Sequence, residues 1–322
     1  MYGINFLVLI TMIAIIIGSL HWHPIEHFEN ELSDSQSKLL DHLETSDPSD
    51  PQSKLSDPSE TQKPKIAVAC LMRKPVDLPL WLDHHRKLGI TKFYIRLEDS
   101  PGWKDYLDVQ SDVSYITAES DKTGNNYETL QSRQIEYVNK CLKNANDEGI
   151  SWLFHIDADE LLHGKLQFLN DIDDKYMCVK LENAEAVFED GKQDSCFDAT
   201  KFLKCSAEGS QCKSYVNGKA GGRVHDDVKL AGPHDFSYNG KIDGDHLYKV
   251  PFNVLHVLHY DSCSFGSWSE KFLNLGKNKK DNIPFSYYTE SIDAAKEAYD
   301  VYKRYKMIDT DKLDKSMLYY LE

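Results

Sequence analysis

Residues 2–25 contain no Asp, Glu, Lys or Arg. This uncharged stretch includes "INFLVLITMIAIIIGSL", long enough as a helix, at about 1.5 Å per residue, to cross most of a roughly 30 Å hydrocarbon core. It lacks a basic leading segment and a small-x-small cleavage site, which weighs against a cleaved signal peptide. An uncleaved transmembrane anchor over residues 1–25 is therefore expected. No Lys or Arg lies close to either flank, so the positive-inside rule leaves its direction open. The very short N-terminal side favours a type II, single-pass arrangement, with the bulk of the chain on the far side of the membrane.

Residues 26–63 lack the apolar surface needed to offset the entropy of ordering them. Ten Asp or Glu stand against three Lys, a net of −7, around the imperfect repeat "SDSQSKLLD" and "SDPQSKLSD". A disordered acidic stalk is expected. The shortage of positive charge continues beyond it: the total is −15, leaving −8 on residues 64–322. This balance argues against nucleic acid as a partner, which would want a basic face. Cysteine is scarce as well, at seven. Cys70, Cys141 and Cys178 sit in apolar patterns and read as small buried hydrophobes. Cys196, Cys205 and Cys212 lie in a polar insertion whose spacings match no zinc pattern. In an oxidising lumen one disulfide among these three is expected, with its connectivity open. No N-x-Ser/Thr acceptor occurs anywhere in the chain.

The part with globular composition begins at Lys65. "KIAVACLM" reads as a buried strand, followed by the helix "LPLWLDHHRKLG" with Leu78, Trp81, His85 and Leu88 on one face and Gly89 at its stop. "TKFYIRL" and "DVSYITA" are strands. "NNYETLQSRQIEYVNKCLKNANDEG" is a long amphipathic helix striped by Leu130, Ile135, Val138 and Leu142, and "SWLFHI" is a fourth strand. Strands alternating with helices predict an α/β class built on a mostly parallel sheet covered on both faces. Ligands are expected beyond the carboxyl ends of its strands. The C-terminal segment 291–321 reads as helical, with Tyr299, Tyr302 and Tyr305 on a packing face.

After "SWLFHI" come Asp157, Asp159 and Glu160. In extended chain, positions i and i+2 project to the same side. Two carboxylates about 5 to 7 Å apart repel by roughly 1 to 3 kcal/mol at an effective dielectric of about 20 to 40, so something positive must offset them. Hard oxygen ligands at this spacing suit Mg²⁺ or Mn²⁺ shared with a diphosphate, which points to group transfer from a diphosphate-activated donor. The competing reading makes Asp157 the N-cap of a helix "ELLHGKLQFL". The other acidic runs, "DIDD" at 171–174 and "DGD" at 243–245, do not follow such a strand.

The ordered set "LWLDHHRKLGITKFYIRLED", "QIEYVNKCL", "WLFHIDADELL", "NGKAGGRV", "GPH" and "LHYDSCSFGSWSEKF" resembles glycosyltransferases of the family 2-like and family 92 group, over most of residues 65–275. The resemblance implies a GT-A fold, a Rossmann-like sheet with helices on both faces. It also implies a nucleotide-sugar donor, a glycan, glycoprotein or glycolipid acceptor, and a divalent ion, usually Mn²⁺ with Mg²⁺ the alternative. An anchor, a stalk and a lumenal catalytic domain over residues 64–322 fit the layout of such enzymes.

Carried over by position, Asp157 and Asp159 would hold the metal, with a downstream His as third ligand. Of His256 and His259, which face opposite ways in a strand, His259 is favoured as nearer the strand's carboxyl end. Either could instead be a core imidazole bonded to a carbonyl. Glu98 and Asp99 are candidates for ribose or base contacts, or else form a solvated turn. Arg73 and Lys74 are candidates for the diphosphate, although the family more often shows an Asn-Glu type pair there. Gln134 would lie near the nucleotide and His85 would brace its helix on the sheet. Lys219 and Arg223 are possible phosphate contacts in a glycine-rich stretch that would equally make a hairpin. If the anomeric centre is inverted, a carboxylate must deprotonate the acceptor, and Asp235 and Asp261 are the candidates. Two other classes compete with the transferase: a non-catalytic carbohydrate-binding or scaffold protein, and another metal-dependent phosphoryl-transfer or phosphodiester enzyme.

Overall fold

The computed structural model describes residues 63–75, 77–120, 126–187, 195–205, 216–261, 271 and 318–321. The chain divides into two units, Met1–Glu60 and Thr61–Glu322, and all described residues belong to the second. The expected anchor, the stalk as far as residue 62, and nearly all of the expected C-terminal helix lie outside the described residues. Leu318–Tyr320, read from sequence as the end of that helix, is a strand. Among the described residues no helix is long and apolar enough to cross a membrane.

The fold is mixed α/β with a parallel-rich sheet. Strands β1 (Ile66–Arg73), β2 (Lys92–Glu98), β3 (Val113–Ala118) and β4 (Trp152–His155) are mutually parallel where they pair. Helices α1 (Leu78–Leu88), α2 (Lys104–Asp108) and α3 (Asn126–Asp147) lie between them in the chain. Beyond β4 the chain builds β5 (Glu160–Gly164), the short α4 (Phe168–Asp171), β6 (Cys178–Leu181), β7 (Asn183–Ala186), β8 (Lys201–Lys204), β9 (Lys219–Arg223), β10 (Val228–Gly232), β11 (Asp235–Tyr238), β12 (Leu247–Lys249), β13 (Leu255–His259) and β14 (Leu318–Tyr320). The main sheet runs β12-β6-β9-β4-β1-β2-β3, with β9 antiparallel to both neighbours. A second sheet runs β14-β8-β7-β13-β5, and β10 and β11 form a separate hairpin.

The period-2 pattern of β1 explains its central place. Ile66, Val68, Cys70 and Met72 face a core shared with Trp81 and Leu82 of α1 and with Leu161, Leu255 and Val257 of the second sheet. The alternate residues Ala67 and Ala69 face Tyr137, Val138, Cys141 and Ala145 of α3. Small side chains on that face let the long helix approach closely. Helix α1 starts where the Asp77 carboxylate accepts from the Leu80 N–H at 3.0 Å and stops at Gly89, whose φ of 111° suits glycine. The segment "ELLHG", one reading of which was a helix start, is β5.

β5 is an edge strand, and side chains of α1 cover its open rim. The Trp81 indole N–H donates to the Glu160 carbonyl at 2.8 Å, and the Leu162 N–H donates to His85 Nε2 at 3.1 Å. His84 Nε2 meets the Leu162 carbonyl at 2.7 Å. His85 Nδ1 lies 2.7 Å from the Trp81 carbonyl and so carries the proton. Protonating Nε2 would set two N–H groups against each other. Burial, with His84 nearby, lowers the His85 pKa to about 3, the Trp81 carbonyl only partly opposing.

A histidine whose folded pKa is depressed contributes stability that is fully present above its unfolded value of 6.5 and is lost as pH falls toward the folded value. For one such group the slope is about 1.4 kcal/mol per pH unit within that window. The urea midpoint is expected to fall between pH 6.5 and 4.5. In His85→Gln it should start lower at pH 7 but fall less steeply, and parallel pH profiles for the two proteins would contradict the cap.

Candidate metal centre

β4 ends at His155, and the chain crosses to the second sheet through Ile156, Asp157, Ala158 and Asp159 before β5 begins at Glu160. A turn makes the crossing: the Glu160 N–H donates to the Asp157 carbonyl at 3.2 Å and the Asp157 N–H donates to Glu160 Oε2 at 2.7 Å. The turn corrects the extended-chain picture, because Asp157 and Asp159 take different partners.

Asp157 is held by Lys219 Nζ at 2.5 Å and by Gln134 Nε2 at 2.9 Å. The same ammonium lies 3.4 Å from Glu160 Oε2. Lys219 and Glu160 are both fully buried. Burial alone would raise the Asp157 carboxyl pKa, but the Lys219 ammonium overrides it and holds the group below the usual carboxylate range. Burial would lower Lys219, whereas Asp157 and Glu160 raise it above an ordinary lysine. Glu160 itself is raised by burial. The expected phosphate contact Lys219 is thus the internal counterion of the turn.

Asp159 goes the other way, to the carboxyl end of β13. Its carboxylate, His259 and Asp261 have ligand atoms all within 4.8 Å of one another. His259 Nε2 lies 3.8 Å from Asp159 Oδ2, while Nδ1 is 2.8 Å from Glu185 Oε2. The Asp159 carbonyl accepts from the Tyr260 N–H at 2.8 Å, tying the crossing turn to this strand end. Burial would lower the His259 pKa, but Glu185, aided by Asp159 and Glu160, raises it to about 9. Asp261, expected as an acceptor base, is instead a buried member of this cluster and accepts from Lys271 Nζ at 2.5 Å. Ligands on one small divalent ion at about 2.1 Å stand at most about 4.2 Å apart, so a slight contraction would close the set. Two carboxylates and an imidazole with its far nitrogen on a carboxylate form a fitting donor set.

The remaining sequence candidates are dispersed. Arg73 and Lys74 are exposed at the carboxyl end of β1, where Lys74 has a φ of 50° and its N–H donates to Ser100 Oγ at 2.7 Å. Glu98 is fully buried between Arg96 at 2.7 Å and Arg133 at 2.9 Å, so two guanidinium groups occupy the carboxylate expected to meet a ribose. Asp99, with a φ of 48°, accepts from the Ser120 N–H at 3.0 Å and from its hydroxyl. Gln134 orients Asp157.

Arg223 is corrected by strand direction. β9 runs antiparallel to β4, pairing Ala220 with His155 but Arg223 with Trp152, so Lys219 is at the site end and Arg223 at the other. There Arg223 donates to the Tyr176 and Ile172 carbonyls at 2.8 and 3.1 Å. The intervening glycines pack against protein: a Cβ on Gly221 would meet the Phe154 ring at 2.7 Å, and one on Gly222 would meet Val228 Cγ1 at 2.6 Å. Asp235 is paired with Lys180 at 2.5 Å, outside the cluster. His256 stacks on Phe252 and lies 2.8 Å from its carbonyl, away from Asp159. Glu185 and Lys271 were missed. Glu185 carries no motif and joins the site through sheet register alone.

No family model matches this chain, and no curated protein matches it, so the likeness to family 2-like and family 92 glycosyltransferases rests on the motifs. Among solved structures, it is similar to a putative glucose-1-phosphate thymidylyltransferase from Bacillus anthracis, with a TM-score of 0.24 and 11% identity over 38% of this chain and 56% of that one. It is also similar to HddC from Yersinia pseudotuberculosis, with a TM-score of 0.23 and 16% identity over 38% and 58%. The chain thus spans little more than half the length of either.

Removing the central ammonium should expose the cost of the turn. Breaking a buried charge cluster from one side costs about 3 to 5 kcal/mol. Lys219→Met is expected to lose that much in urea denaturation, and adding Asp157→Asn should restore part of it. A loss below about 1 kcal/mol, the range of an exposed ion pair, would contradict the assignment.

Proposed function

We propose that this protein is a divalent-cation-dependent glycosyltransferase that moves a sugar from a nucleotide-diphosphate donor to a glycan, glycoprotein or glycolipid acceptor. One observation carries the reading: Asp159, His259 and Asp261 converge where the crossing turn from the parallel sheet meets the carboxyl end of β13. In this reading those three residues hold Mn²⁺, or Mg²⁺. When bound, the ion would bind and neutralise the donor's diphosphate as it becomes the leaving group.

The chain's own residues set the rest. Lys219 and Gln134 fix Asp157 and so hold the turn that presents Asp159. Lys271, bonded to Asp261, brings a cation to the rim of the site. Arg73 and Lys74, exposed where β1 ends, and Asp99, where β2 ends, are the donor-side candidates. Asp235 remains the candidate acceptor base for an inverting reaction: the Pro233 and His234 carbonyls beside it contact Lys219 of β9 and Lys180 of the adjoining β6. A lumenal location behind an N-terminal anchor belongs to the same proposal. Cys196 and Cys205 are each disulfide-bonded, which supports an oxidising compartment.

The test is Mn²⁺-dependent hydrolysis of a panel of sugar nucleotides by the purified chain. Turnover of one donor is expected, and Asp159→Asn and Asp261→Asn should each reduce it roughly a hundredfold or more while the far-ultraviolet circular dichroism is unchanged. No donor binding with or without Mn²⁺ would leave a scaffold or carbohydrate-binding protein. Cleavage of simple phosphodiesters would make it a hydrolase.

A further inference from the structure

We infer that Glu185 is a positioning residue for the cation site, fixing the His259 ring so that Nε2 is the nitrogen offered beside Asp159; the inference rests on the cation reading above. Its basis is strand register. β13 pairs in parallel with β7, placing His259 opposite Glu185, and antiparallel with β5, placing His259 opposite Glu160. Directly paired residues on neighbouring strands project from the same face of a sheet. Glu185, His259 and Glu160 therefore form a row across three strands, 8%, 6% and 0% exposed.

Within the row, Glu185 Oε2 lies 2.8 Å from Nδ1 and Asp159 Oδ2 lies 3.8 Å from Nε2. An ionised carboxylate only accepts, so Nδ1 donates to Glu185 and Nε2 is the nitrogen turned toward Asp159, the one that would release its proton when a cation binds. The same contact restrains ring rotation and makes the imidazole a stronger donor. Stability alone does not call for this arrangement, because a buried charged pair is often no more stabilising than an apolar pair of equal volume. A one-residue slip between β7 and β13 would turn the carboxylate to the opposite face, so register, with no sequence motif, assembles the contact.

The test compares Mn²⁺ affinity, read from free Mn²⁺ by electron paramagnetic resonance, in the full chain and in Glu185→Ala and Glu185→Gln, alongside thermal melting of the metal-free proteins. Glu185→Ala is expected to bind Mn²⁺ roughly 10- to 100-fold more weakly, with its metal-free melting retained. Glu185→Gln, whose amide oxygen still accepts from Nδ1, should recover most of the affinity. Glu185→Met replaces the alanine variant if that one does not fold. Affinity within twofold of the parent in Glu185→Ala overturns the role, as does an equal loss in both variants, which would assign the effect to charge. If the unsubstituted chain binds no Mn²⁺, the cation reading itself fails, a result distinct from either.

Discussion

A single buried ammonium decides how the acidic corner of this molecule is built. Lys219 sits on β9, a strand of the main sheet, yet its side chain ends between Asp157 and Glu160, which bracket the turn into the second sheet. Without that charge, the buried Glu160 carboxylate and the partly exposed Asp157 carboxylate would face each other within a few ångströms, and the turn would open or take up protons. With it, Asp157 is neutralised internally and Asp159 can point elsewhere. Asp159 can turn toward His259 because its near neighbour Asp157 is already matched.

The same economy of side chains appears wherever backbone would otherwise be left bare. Arg223 closes the carbonyls that follow α4 while lying over the Trp152 ring, 4.8 Å from its centroid. The Asn139 amide on α3 donates to the Leu230 carbonyl at 3.2 Å and accepts from its N–H at 2.8 Å, serving the β10–β11 hairpin as a substitute strand. These polar contacts lock elements against one another at the rims, while apolar faces hold them together at the centre. A site assembled from three segments of the chain needs both. Asp159 arrives from the crossing turn, His259 from β13 and Glu185 from β7, and their separations are fixed only if the strands cannot slide.

Much of the first half was legible in the residues. The buried run of β1, the glycine stop of α1, the long amphipathic α3 and the acidic crossing after β4 all follow from local pattern, since each signal lies within about 20 residues. The second half was not, for physical reasons. β9 carries adjacent glycines that read as a phosphate-contacting stretch or a hairpin but are needed because the Phe154 ring and the β10–β11 hairpin press on the strand. Asp157 and Asp159 looked like partners because sequence shows their spacing and hides the turn between them. Lys219 and Arg223 looked equivalent until strand direction sent them to opposite ends of the sheet. Glu185 gave no local signal at all, since its contact with His259 is a property of how β7 and β13 align.

The covering of β5 by an indole and two imidazoles also bears on how copies of this chain meet. A bare sheet margin invites a strand from another molecule to dock and extend the ladder, the usual seed of swapping and fibrous growth. Here the hydrogen-bonding groups at that margin are engaged by a helix, and rings stand where an incoming backbone would have to lie. An intruding strand would have to pull α1 away and uncover Trp81 and Leu82, both buried in the main core. Resistance to that mode of self-association is thus written into α1, far along the chain from the strand it protects.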